Sequence, residues 1–218
     1  MNTEREGFIF SKGRLESLTD GVFAVIMTIL VFNVSVPELI LAAEGEYATE
    51  RLTSRLLDLW PDIMAYIVSF ATLAVYWVAH HRIFRWIVNV DRPLLWMNIS
   101  FLVTIGLIPF STVLLAQYRD QQISIFIYSS NAILAGVILN FVYHYAKGHL
   151  ELVDKTVHDL IKNRSGRRIL ITILTYSVTI SFSFIYLPVS LFLFLIVLLP
   201  EFIPDRYFGK DKQLKSDG

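Results

Sequence analysis

The feature that most limits what this chain can fold into is the recurrence of apolar runs long enough to cross a bilayer. A hydrocarbon core about 30 Å thick takes roughly 20 mostly apolar residues per helix. Six segments meet that demand: Leu15 to Val36, Pro61 to Trp86, Pro93 to Tyr118, Ile123 to Tyr145, Ile169 to Tyr186 and Leu187 to Ile203. The last two form one nearly continuous block, too long for a single span without severe tilt. Pro188 interrupts it, removing a helix hydrogen bond and restraining its predecessor, so a tight hairpin is expected. The approach to the second span, Ala48 to Leu59, reads as an amphipathic helix lying at the interface.

Charge placement orders these spans. Of the 19 Lys and Arg, only Arg51, Arg55 and Arg119 fall outside when both ends of the chain are cytoplasmic, leaving 16 inside. The positive-inside rule selects that arrangement, and an odd number of spans would export a terminal basic cluster. The expected architecture is an all-α integral membrane protein of six helices with both termini cytoplasmic. Residues 1–204 form one membrane domain and 205–218 a polar tail. The opening MNTEREGFIFSKGR mixes acids with bases and is not a signal peptide. Formal net charge is zero, which gives no sign of a nucleic-acid partner, and the absence of cysteine excludes disulfides and thiolate chemistry.

Polar groups inside a membrane are costly, and each is a functional suspect. Asp20 opens the first helix, His80 and His81 close the second, Asn98 sits in the third, and Asn131, Asn140 and His144 lie in the fourth. No acid falls at mid-depth for carboxylate-coupled transport. No embedded Ser/His, paired Asp or HExxH pattern suggests a hydrolase, so no enzyme is expected. Adjacent imidazoles point about 100° apart on a helix, poor geometry for one metal, and an interfacial hydrogen-bonding role is the plainer reading. Asp20 suits the positive end of the helix dipole or a pairing with Arg14 or Arg82, as well as direct ion contact. Val25, Thr28, Ile29 and Phe32 share one face of the first helix. That stripe fits a packing surface as well as a pore lining, and a lone Thr often bonds back to its own backbone.

The stretch Arg14 … Leu18-Thr19-Asp20-Gly21-Val22-Phe23-Ala24, followed by an aliphatic run with Thr28, resembles the first-helix signature of the transmembrane protein 175 family. WVAHHRIFR, with Trp77, His80 and His81, and NISFLVTIGLIPFST, with Asn98 and Pro109, are similar to the same family. Leu18-Thr19 stands where the family usually has Phe-Ser, an apolar-for-apolar and hydroxyl-for-hydroxyl departure. The resemblance implies a potassium channel of the bacterial single-repeat type, a homotetramer in the plasma membrane around a central pore lined by the first helix. By position, Val25, Ile29 and Phe32 become constriction residues, and Thr28 offers hydroxyls to a transient, partly dehydrated potassium ion. Arg14, Asp20, His80 and His81 would belong to a polar network behind the pore helix, with Leu18, Thr19, Trp77 and Asn98 in the same motifs. Permeant potassium and the bilayer are the implied partners, and no cofactor is expected. An apolar ring of this kind gates by dewetting. The acidic segment with Glu38, Glu44, Glu46, Glu50, Asp58 and Asp62 either concentrates cations at the outer mouth or is a solvated surface. Two other readings fit the same residues: a proton-conducting channel or transporter relaying through His80 or His81, and a non-catalytic membrane scaffold.

Overall fold

The computed structural model describes residues 11–34, 53, 54, 56–118, 120–155, 171 and 173–178. The sixth span, most of the fifth, residues 1–10, the 205–218 tail and Glu38 to Glu50 lie outside the described residues, as does half of the expected interfacial helix. Five α-helices are described: α1 (Lys12–Ile29), α2 (Trp60–Phe84), α3 (Arg92–Gly106), α4 (Ile108–Gln117) and α5 (Gln122–Gly148). A 3₁₀ turn, Leu30–Asn33, continues α1, and another, Leu150–Leu152, follows α5. Four helical stretches among these residues are long and apolar enough to cross a membrane: Lys12–Asn33, Leu56–Phe84, Arg92–Gln117 and Gln122–Gly148.

The third span differs from the single helix expected over Pro93 to Tyr118. It is two helices broken at Leu107. Pro109 has no N–H to give the Ile105 carbonyl and its ring crowds that turn, while Gly106 is a poor helix former. Leu107 closes the turn by donating from its N–H to the Thr104 carbonyl at 3.2 Å.

The helix starts have local causes. Pro61 occupies the first turn of α2, where its missing donor costs nothing, and Asp62 complements the dipole there. Asp91 caps α3, one carboxylate oxygen accepting from the Leu94 N–H at 3.0 Å. Its other oxygen accepts from the Tyr145 hydroxyl at 2.6 Å, tying the start of α3 to the end of α5. Beside that tie, Ile87 and Val153 form an antiparallel bridge. The Val88 N–H donates to the Leu152 carbonyl at 2.8 Å and the Asp154 N–H to the Trp86 carbonyl at 3.0 Å.

Phe101 of α3 is the hub of the packing. Its ring lies 6.0 Å from Phe23 of α1, 6.2 Å edge-on to Tyr76 of α2 and 5.8 Å in a stack with His80. Leu30, Leu73, Phe84, Leu94, Ile105 and Leu139 are buried around it. A second apolar cluster joins Val68 and Val75 of α2 to Tyr128 and Ala132 of α5 and to Tyr176 of the segment at 173–178. Gly136 allows that segment close: a Cβ there would meet Ile173 Cγ1 at 2.9 Å and the Tyr76 hydroxyl at 3.1 Å.

Candidate functional site

α1 has two faces. Leu15, Thr19, Phe23, Ile26 and Leu30 recur at helical spacing and are buried. They seat the helix on α2 and α3. Leu18, Gly21, Val25, Thr28, Ile29 and Phe32 occupy the other side and are exposed, Val25 at 56% and Phe32 at 78%. α1 is the least covered of the four spans, with 28% of its apolar window buried against 44–50% in the others. Thr28 donates its hydroxyl hydrogen back to the Val25 carbonyl at 2.8 Å or the Ala24 carbonyl at 3.0 Å. The hydrogen is thus turned inward, and the oxygen lone pairs remain available on the exposed face.

Behind this helix lies a short directed chain of hydrogen bonds. Asn98 Nδ2 donates to Thr19 Oγ1 at 3.1 Å, and Thr19 in turn donates to the Leu15 carbonyl at 3.0 Å. With its nitrogen committed to Thr19, Asn98 turns its oxygen to His80 Nε2, 2.8 Å away. An amide oxygen only accepts, so His80 carries a proton on Nε2. The imidazole is held flat between Phe84, 4.1 Å away at 18°, and Phe101, at 5°. All three polar residues are buried, His80 at 3% exposure, and the chain joins α2, α3 and α1. Each neutral bond contributes about 1 kcal/mol net, but orphaning any buried member costs about 1–3 kcal/mol.

Asp20 and Trp77 form a separate, exposed contact, with Trp77 Nε1 donating to Asp20 Oδ1 at 2.9 Å. His81 stacks on Trp77 at 5.9 Å and is exposed, so the adjacent histidines face different surroundings. Arg14 is exposed, and among the described residues it pairs with neither Asp20 nor another acid. Its place in the motif is therefore not inside the buried chain. No group of three metal-ligating side chains occurs among the described residues.

Other polar groups singled out in the sequence lie away from α1. Asn131 Nδ2 sits 3.4 Å from Ser111 Oγ, and Asn140 Oδ1 is buried with no partner. A further hydroxyl cluster joins Thr72 to Tyr128 at 3.1 Å and to Tyr176 at 2.6 Å, and Thr112 donates to Ser69 at 2.7 Å. These groups bind α2, α4, α5 and residues 173–178 together. The sequence reading passed over Asn33, whose Nδ2 donates to the Pro109 carbonyl at 3.3 Å. Its signal was present: an amide at the end of an apolar run must find a partner.

Comparison with known proteins follows from this geometry. The sequence model of the family described as "Endosomal/lysosomal potassium channel TMEM175" matches residues 14–109, which hold nearly all of α1, α2 and α3 and every member of the polar chain. A protein named potassium channel from Chamaesiphon minutus is 34% identical over 137 residues, 62% of this chain and 65% of that protein. One of the same name from Streptomyces collinus is 28% identical over 183 residues, 82% of this chain and 85% of that one. A chicken protein named endosomal/lysosomal proton channel is 30% identical over 115 residues, 51% of this chain but 23% of its own length. Among solved structures, the crystal structure of a lysosomal potassium-selective channel TMEM175 homolog from Chamaesiphon minutus superposes with a TM-score of 0.68 at 28% identity. That match covers 87% of this chain and 95% of the other.

Proposed function

We infer that this chain is a member of the TMEM175 family and a potassium channel whose ion path is lined by α1. It is a multi-pass membrane protein of a channel family and not an enzyme family. The observation that carries the reading is the asymmetry of α1. One face is locked to α2 and α3 through Thr19, Asn98 and His80, while the other presents Val25, Thr28, Ile29 and Phe32 outward.

The finer proposal is a homotetramer of six-helix subunits in the plasma membrane, with both termini cytoplasmic. Symmetry turns one exposed side chain into a ring of four. Rings of Val25, Ile29 and Phe32 would narrow the path and close it by dewetting. Thr28 would offer four hydroxyl oxygens to a potassium ion that has shed part of its water. Asp20 and Trp77 would hold the inner end of the helix through their hydrogen bond without touching the ion, with Arg14, Leu18 and His81 around them. Supporting this, the Thr28 hydrogen is already satisfied by backbone, so its oxygen is free to accept.

The test is flux in proteoliposomes loaded with potassium or sodium. Potassium efflux should exceed sodium efflux, and absence of cation flux under every condition tried would end the channel reading. Cross-linking or mass measurement should give four copies; a monomer would contradict a central pore.

Proton flux along the same path is the second reading, favoured by the name of the chicken relative. A relay through His80 fits poorly, because that ring is buried between Phe84 and Phe101 and spent on Asn98. Unchanged proton flux in His80→Gln would remove it.

A further inference from the structure

Asn33 and the break in the third span belong to one device. The 3₁₀ turn Leu30–Asn33 buries Leu30 completely and is closed by the Val34 N–H donating to the Val31 carbonyl at 3.0 Å. Between these anchors Phe32 stands out at 78% exposure, more than Leu18, Val25 or Ile29 of the α1 stripe. The next side chain, Asn33, is half-buried and gives its amide hydrogen to the Pro109 carbonyl in the first turn of α4. A polar side chain at this depth needs a partner, and among the described residues the Pro109 carbonyl is the one given to it.

α4 is set off from α3 by the break at Leu107, and Thr112, donating to Ser69 at 2.7 Å, fastens it to α2. The outer end of α1 is thus attached to α4, whereas its inner half is attached to α3 through Thr19 and Asn98. The two attachments lie on opposite sides of the helix break.

We propose that Asn33 is a positioning residue that sets the place of Phe32 by tying the outer turn of α1 to α4, so that tilting of α4 at the Leu107 break moves the Phe32 ring independently of the inner joint. This rests on the pore reading of α1. Asn33 does not touch the ion; it acts through Phe32.

The chain has no cysteine, so Phe32→Cys introduces one thiol that can be followed alone. Its rate of modification by a small cationic thiosulfonate is measured in proteoliposomes with Asn33 intact, with Asn33→Leu, which keeps the volume and loses the donor, and with Asn33→Gln, which keeps a donor. Asn33→Leu should change the rate, the loss of one neutral hydrogen bond allowing a shift of up to about fivefold. Asn33→Gln should bring it back toward the parent. With Phe32 in place, Asn33→Leu should change potassium flux by a similar factor and leave the potassium-to-sodium ratio as in the parent. Rates and fluxes equal in all three chains would overturn the proposal, as would Leu and Gln behaving alike. Asn33→Ala carries the same expectation if Asn33→Leu does not assemble. If neither assembles while Asn33→Gln does, the amide serves folding and the proposal fails. Absence of flux in the parent would sink the pore reading instead, and the thiol rates would still report on the tie.

Discussion

His80 Nε2 and Asn98 Oδ1 lie 2.8 Å apart in the buried interior, each held by a second contact that leaves it no alternative. The ring is sandwiched by Phe84 and Phe101, and the amide is committed to Thr19. Such a joint specifies one rotational setting of α1 against α2 and α3, and it breaks as a unit.

Asn98→Leu should therefore destabilise by more than one bond's net worth. It leaves the His80 N–H with no acceptor in an apolar site, a cost of about 1–3 kcal/mol, while Thr19 keeps its bond to Leu15. Thermal unfolding in detergent, followed by tryptophan fluorescence, should show a lower midpoint. An unchanged midpoint would mean that His80 finds another acceptor.

Thr28→Val and Thr28→Ser separate hydroxyl chemistry from shape. Valine keeps the branched outline and removes the oxygen; serine keeps the oxygen. The potassium-to-sodium flux ratio should fall toward one in Thr28→Val and stay near the parent in Thr28→Ser. Equal ratios in all three chains would show that Thr28 does not meet the ion.

Trp77→Phe removes the donor to Asp20 and keeps an aromatic ring beside His81. The contact is solvent-exposed, so the loss should be small, about 1 kcal/mol or less. A loss several times larger in the same unfolding assay would show that water does not reach this pair in the assembled protein.

Gly136→Val tests the close approach of residue 173 to α5. Its Cβ would lie 2.9 Å from Ile173 Cγ1, and overpacking of this kind costs about 1–3 kcal/mol. Ile173→Ala should restore part of the loss, a coupling read from a double-mutant cycle on unfolding midpoints.

What the sequence made legible were the costs, not the settlements. His80 and Asn98 stood out because polar groups in apolar spans need partners. Their pairing did not, because 18 residues separate them and His81 is an equally plausible donor until α2 is rotated into place. Pro109 was visible as a strain on the third span, yet whether a proline kinks or breaks a helix depends on what receives the freed groups. Asn33 escaped notice because the end of an apolar run looks like a boundary, and only the packed position of α4 reveals an acceptor. Motif position alone places Arg14 in the polar network; among the described residues it is exposed and stands apart from the Thr19, Asn98 and His80 chain. The Thr72, Tyr128 and Tyr176 cluster was out of reach for the same reason, spanning up to 104 residues.

The bridge between Ile87 and Val153 carries a lesson about order of assembly. Its two strands of one residue flank everything from α3 to the end of α5, so the ends it joins are far apart along the chain. Closing so long a loop is entropically expensive until the intervening helices have packed. A nascent chain halted before Leu152 would leave the N–H groups of Val88 and Asn89 without the carbonyl they share. The backbone groups at the end of α2 thus find these partners only after α5 has been made.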